Sequence, residues 1–162
     1  MPAYVVNSPS WFSATQELRG ETGNLVAELV MLKRLSYALA EARLPGRTVR
    51  FGYEGWTGRK IFIQDEQGKD IATATNLSWW NRDVRVLIDG KEYLWKQKDW
   101  WGLRSGWFTD GKEIIECRRR WWGKMEIVTL TAPQGAELIL TLFGMYLLML
   151  QEVDSMGASA TF

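Results

Sequence analysis

The residues best suited to chemistry in this chain are tryptophans with a cation close behind them. Arg59 follows Trp56, Arg82 follows Trp80, Arg104 follows Trp101 and Lys124 follows Trp122, each after two or three positions. Lys60 and the run Arg118, Arg119, Arg120 add charge, and Trp79, Trp100 and Trp121 double the aromatic at three of these marks. Indole rings mixed with Arg and Lys suit contact with anionic headgroups. The ring is amphipathic at headgroup depth, and each cation near an anionic leaflet contributes about 1 kcal/mol. The same residues also have a purely structural use, in which one Trp of a pair packs into the fold and the cation stacks on the other. Both readings stand on the sequence.

Other chemistries are poorly supplied. The chain has no histidine, which removes the commonest general base, the usual zinc ligand and the physiological pH switch. Cys117 is the only cysteine, so no internal disulfide forms and nothing points to an oxidising compartment. Three following arginines favour a reactive thiolate. Its place in the alternating EIIECRR favours instead a small buried strand residue, which is the reading adopted. The neighbours Asp65 and Glu66 fall in a hairpin turn, whereas a two-carboxylate hydrolase needs its acids facing across a cleft. Glu152 and Asp154 lack the spaced carboxylates of a calcium loop. No catalytic residue, metal ligand or cofactor is expected, and the protein reads as non-enzymatic. Twenty basic against nineteen acidic residues give a net charge of +1, without the strongly basic balance of a nucleic-acid binder. Arg118 to Arg120 before Trp121 could stack on single strands, yet overall neutrality argues against that partner.

The elements that position these residues form a repeat. Trp56, Trp80, Trp101 and Trp122 are separated by 24, 21 and 21 residues, and Gly46, Gly68, Gly90 and Gly111 by 22, 22 and 21. Two residue classes in phase mark a repeated unit. Period-two alternation makes each unit a β-hairpin: Val84, Val86 and Ile88 point one way, Asp83 and Arg85 the other. Asp89-Gly90 and Asp110-Gly111 supply the positive φ angles of tight hairpin turns. Extrapolated backwards, the period predicts a turn at Gly23 and extended structure over Leu25 to Ala42, against the helix propensity of its Leu, Ala and Glu. Ala3 to Thr131 then holds about twelve strands in one meander.

After the strands comes LILTLFGMYLLML, Leu138 to Leu150, apolar on every side. Such a helix must be enclosed by protein or lipid. Its thirteen residues come to about 20 Å, short of the roughly 30 Å of a bilayer core. A twelve-stranded barrel has a lumen wide enough for a helix about 10 Å across. The expected fold is mainly β: one domain over residues 1–154, a closed antiparallel barrel around a helix at about 136–152, and a mobile tail at 155–162. Strand and helix both come to about 24 Å on this reading. Flat, open sheets of MORN type are also built from such hairpins, and would leave the helix free to dock a partner or anchor in a membrane.

The meander of aromatic-marked hairpins, with WWG, DGKE and RRRWWGK at this beat and a wholly apolar C-terminal helix, resembles the tubby C-terminal-like superfamily. That superfamily includes tubby, the phospholipid scramblases and the LURP-one-related proteins. The resemblance runs from about Ala3 to Val153 and implies a twelve-stranded barrel around a central helix, with a role at membranes or phosphoinositides. The cysteine cluster and acidic calcium segment of the scramblases have no counterpart here, and no contact residue of tubby is carried over. The expectation is a lipid-, phosphoinositide- or membrane-surface-associated regulatory module. Its candidate residues are Arg59, Lys60, Arg82, Arg104, Arg118, Arg119, Arg120, Lys124, Trp79, Trp100 and Trp121. The alternative is a protein-interaction scaffold without lipid affinity. MPAYVVNSPSW lacks the features of a signal peptide, which points to the cytoplasm, with peripheral membrane contact.

Overall fold

A computed structural model describes residues 3–7, 15–33, 39–54, 60–76, 83–99, 104–119, 125–130 and 136–160. Twelve strands precede one helix: β1 (Ala3–Asn7), β2 (Thr15–Arg19), β3 (Leu25–Lys33), β4 (Leu39–Leu44), β5 (Arg47–Glu54), β6 (Lys60–Gln64), β7 (Asp70–Asn76), β8 (Val84–Ile88), β9 (Lys91–Gln97), β10 (Arg104–Thr109), β11 (Lys112–Arg119), β12 (Met125–Thr129) and α1 (Glu137–Ala160). Each strand pairs antiparallel with the next, and β1 pairs with β12 through Ala3↔Val128 to Val6↔Met125, which closes the barrel. Closure removes every open sheet edge. The open-sheet alternative is thereby excluded.

The turns fold as their residues require. Asp89 and Gly90 have φ of 50° and 77°, and Asp110 and Gly111 have 52° and 76°. Two successive positive φ angles give the mirror-image turn whose twist matches that of paired strands. Within the stretch from Leu25 to Ala42, β3 and β4 are extended, because burying Ala27, Leu29, Met31, Ala40 and Ala42 on alternate positions outweighs helix propensity, and 34–38 lie outside the described residues.

Inside the wall lies α1, with every residue from Ile139 to Leu148 buried. Leu140, Leu142, Phe143, Met145 and Tyr146 are fully buried, each worth roughly 1.5–3 kcal/mol against exposure. The lumen is lined unevenly. Ala27, Ala40 and Ala42 present small side chains on β3 and β4, while Tyr93, Trp95 and Trp107 fill β9 and β10. The Trp107 indole N–H donates to the Leu140 carbonyl at 2.7 Å. Gly144 makes this approach possible, since a Cβ there would lie 2.8 Å from Trp95 Cζ3 and 3.1 Å from Trp107 Nε1. Phe143 meets Phe51 edge-on at 5.1 Å, and Tyr4 donates from its hydroxyl to Glu137 Oε1 at 3.0 Å where the helix enters.

The helix is longer than the sequence suggested. It runs to Ala160, past the end near residue 152 that the sequence predicts and into the expected tail at 155–162. A helix already nucleated by packing extends at the gain of one hydrogen bond per residue, and no proline falls in 151–160 to stop it. Its 24 residues come to about 36 Å. Seven-residue strands tilted by about 40° give a wall only about 18 Å high. The strand length of the sequence reading omitted that tilt, so helix and wall do not match.

Candidate functional site

An antiparallel meander has two ends, and its connections alternate between them. At one end lie the five glycine turns and the entry of α1. At the other, the strands are joined by 8–14, 34–38, 55–59, 77–83, 98–103 and 120–124. Eight of the ten tryptophans fall in those six connections; the other two, Trp95 and Trp107, pack on the helix. With the strand residue on each side included, the connections of this tryptophan end contain ten cations and three carboxylates in sequence. The glycine-turn end, counted the same way, contains five cations and seven carboxylates. In sequence, one set of connections is therefore rich in cations and the other in carboxylates.

Lys60 opens β6 opposite Glu54, Arg119 closes β11 opposite Met125, and Arg104 faces Arg118 directly across β10 and β11. These four candidate residues are thus brought to the tryptophan end. Arg59, Arg82, Arg120, Lys124, Trp79, Trp100 and Trp121 lie outside the described residues.

Like charges placed directly opposite destabilise a sheet. Around Arg104 and Arg118 that repulsion is offset by carboxylates. Arg118 Nε donates to Glu116 Oε1 at 2.5 Å; Lys98 Nζ donates to Glu116 Oε2 at 3.1 Å and to both Glu113 oxygens at 2.8 and 3.0 Å. Burial alone would push the Glu116 carboxyl up, but the hydrogen bonds and charges of Arg118 and Lys98 overcome it and hold the group below its ordinary range. For Lys98, burial works downward; Glu113 and Glu116 outweigh it and raise the ammonium. Gly106 makes room for this network, because a Cβ there would stand 2.6 Å from Glu113 Oε1. The network also fixes the base of the connection bearing Trp100 and Trp101. Lys98 N–H donates to the Arg104 carbonyl at 2.8 Å, Arg104 N–H donates to Asp99 Oδ1 at 3.3 Å, and Gln97 Nε2 donates to the Asp99 carbonyl at 2.8 Å.

Sequence reasoning passed over Lys98, Glu113 and Glu116. In a regular strand residues three apart face opposite sides, so Glu113 and Glu116 read as unrelated. A bulge between Trp107 and Phe108 places Glu113 opposite Phe108 and Glu116 opposite Gly106, which brings both acids to the outer wall. No turn or glycine signal in β11 announces that bulge.

Cys117 lies on the inner wall and is buried, with its thiol pushed up to about 12 by burial first and by the charges of Glu116 and Glu113 after it. That removes the reactive-thiol reading. Asp65 Oδ1 accepts the N–H groups of Gln67 and Lys69, both at 2.9 Å, and Glu66 Oε1 accepts Thr48 N–H at 2.9 Å. Asp65 therefore holds its own turn, and Glu66 ties that turn to β5. Among the described residues no cluster of acids or cysteine could hold a metal, and no helix is long and apolar enough to cross a membrane. No family model, curated protein or solved structure matches the chain.

Proposed function

We propose that this chain is a tubby-like barrel of non-enzymatic, regulatory type that associates with anionic lipid or a phosphoinositide-bearing membrane surface through its tryptophan end. The observation that carries the reading is the asymmetry of charge between the two sets of connections. Ten cations against three carboxylates fall at the end whose connections contain eight tryptophans. Cations attract an anionic leaflet, and indole rings are at home at headgroup depth. On this reading the protein is cytoplasmic and peripheral, meeting the surface with the barrel axis upright. Arg104, Arg118, Arg119 and Lys60 contribute from strand ends, and Arg59, Arg82, Arg120 and Lys124, with Trp79, Trp100 and Trp121, from the connections.

The second reading is a protein-interaction scaffold without lipid affinity. It is favoured by apolar side chains on the outer wall, where Val5, Leu25, Leu32 and Leu87 are each at least 40% exposed. Sedimentation with vesicles separates the two. The lipid reading expects binding to vesicles containing anionic lipid at low salt, none to neutral vesicles, and loss of binding when Arg118, Arg119 and Arg120 are all replaced by Gln. Absence of binding at low salt removes the lipid reading.

A further inference from the structure

β1 is the strand that the barrel holds least. Strands β2 to β12 each pair with the next in one continuous meander, and that meander is complete without β1. β1 is laid between its two ends: Val5, Val6 and Asn7 stand opposite Arg19, Leu18 and Glu17 of β2, and Ala3 to Val6 opposite Val128 to Met125 of β12. Every other pairing joins consecutive strands, so bringing Ala3 to Val128 costs the most chain entropy of any contact in the sheet. Little apolar surface offsets that cost. Among the described side chains of β1 only Val6 is buried, while Tyr4 is half-buried and Val5 is 43% exposed. By comparison, β3 buries Ala27, Leu29 and Met31. A further tie comes from the Tyr4 hydroxyl, which donates to Glu137 Oε1.

Release of β1 alone leaves the edges of β2 and β12 unpaired on either side of a gap one strand wide. Unpaired edges are templates for a new strand. The gap is selective: it admits an extended segment antiparallel to both edges, with apolar side chains set opposite Ile127 and Leu18, which are both fully buried. The β1 of a second copy meets these requirements by identity. Exchange replaces each contact by the same contact made between chains, and so loses no packing. The seven residues 8–14 that join β1 to β2 allow up to about 23 Å of chain, enough to reach a neighbouring barrel. We infer that the gap between β2 and β12 is an interaction site for β1 of a second copy, and that the chain forms a dimer by exchanging this strand. Protein concentration sets how much dimer forms, and the release of β1 sets how fast. The inference is independent of the lipid reading.

The test uses the full chain with Val5→Cys and Glu126→Cys, two positions directly opposite across β1 and β12. Such partners have Cβ atoms about 4.5–5.5 Å apart, within reach of a disulfide after a small shift. Cys117 is buried and does not compete. The reduced variant is held at high concentration in mild denaturant, returned to buffer, separated by size and then oxidised. A dimer whose disulfide joins two chains is expected, since β1 of one copy then lies against β12 of the other. Oxidising the monomer first should close the bridge within one chain and abolish dimer formation. No dimer, or a dimer whose bridge lies within each chain, overturns the inference. Tyr4→Phe supplies a second readout that needs no bridge. The tie to Glu137 is made in the monomer and in the exchanged dimer but not in the open form. Its loss should therefore speed interconversion roughly threefold to tenfold and leave the proportion of dimer at equilibrium unchanged. Unchanged rates overturn the inference.

Discussion

At the scale of single residues, Gly144 and Cys117 show side chains set by what surrounds them. Replacing a helical glycine by alanine ordinarily stabilises by about 1 kcal/mol. At Gly144 the new Cβ would stand 2.8 Å from Trp95 and press on Trp107, whose indole is bonded to Leu140. Gly144→Ala is therefore expected to lose about 1–3 kcal/mol in denaturant unfolding; a gain would mean that the indoles do not pack on the helix. Cys117 has a thiol raised to about 12 and no exposure to speak of. At pH 8 the native protein is expected to resist iodoacetamide and to be labelled only at its rate of unfolding. Fast labelling in the native state would place the thiol outside the core.

At the scale of elements, the network across β9, β10 and β11 makes a pH-dependent contribution. The folded-state pKa of Glu116 is depressed, so its contribution is present above the ordinary glutamate range and is lost as pH falls through the folded value. That of Lys98 is raised, so its contribution holds below the ordinary lysine range and is lost as pH rises through the folded value. The stability gap between the parent and Glu116→Gln is expected to be about 1–3 kcal/mol at neutral pH and to shrink in acid below about pH 4. A gap unchanged down to pH 3 would show that the ion pairs do not carry it. A second device spans β5 and β6, where Phe62 lies across Gly52 with its ring 2.3 Å from where a Cβ would be. Gly52→Ala displaces that ring and should destabilise.

Much of this level was legible in the sequence. The glycine and tryptophan beat defines the twelve strands, and Asp89-Gly90 and Asp110-Gly111 carry their turn type in their composition. Three features were not legible. The bulge in β10 and β11 changes which residues share a face without changing composition. The helix end at Ala160 depends on propagation from a packed segment, not on any local stop signal. Trp95 and Trp107 lack a neighbouring tryptophan, so nothing in their local sequence marks them as the pair that grips α1. Of the candidate site, the gathering of Lys60, Arg104, Arg118 and Arg119 at one end follows from the repeat alone. The carboxylates that restrain Arg118 required the register.

At the scale of the whole molecule, a closed sheet around an apolar rod explains the burial of α1. Connections at one end are short glycine turns with an acidic bias, which face the positive end of the helix dipole. The other connections hold more cations than acids in sequence. The most direct measurement of this arrangement is native-state hydrogen exchange along α1. The amides of Ile139 to Leu148 are expected to exchange as slowly as those of the central strands, by global unfolding alone, whereas those after Asp154 should exchange faster by local fraying. Exchange across Ile139 to Leu148 that is much faster than in the strands would mean that the helix leaves the barrel without unfolding it, and would contradict the account.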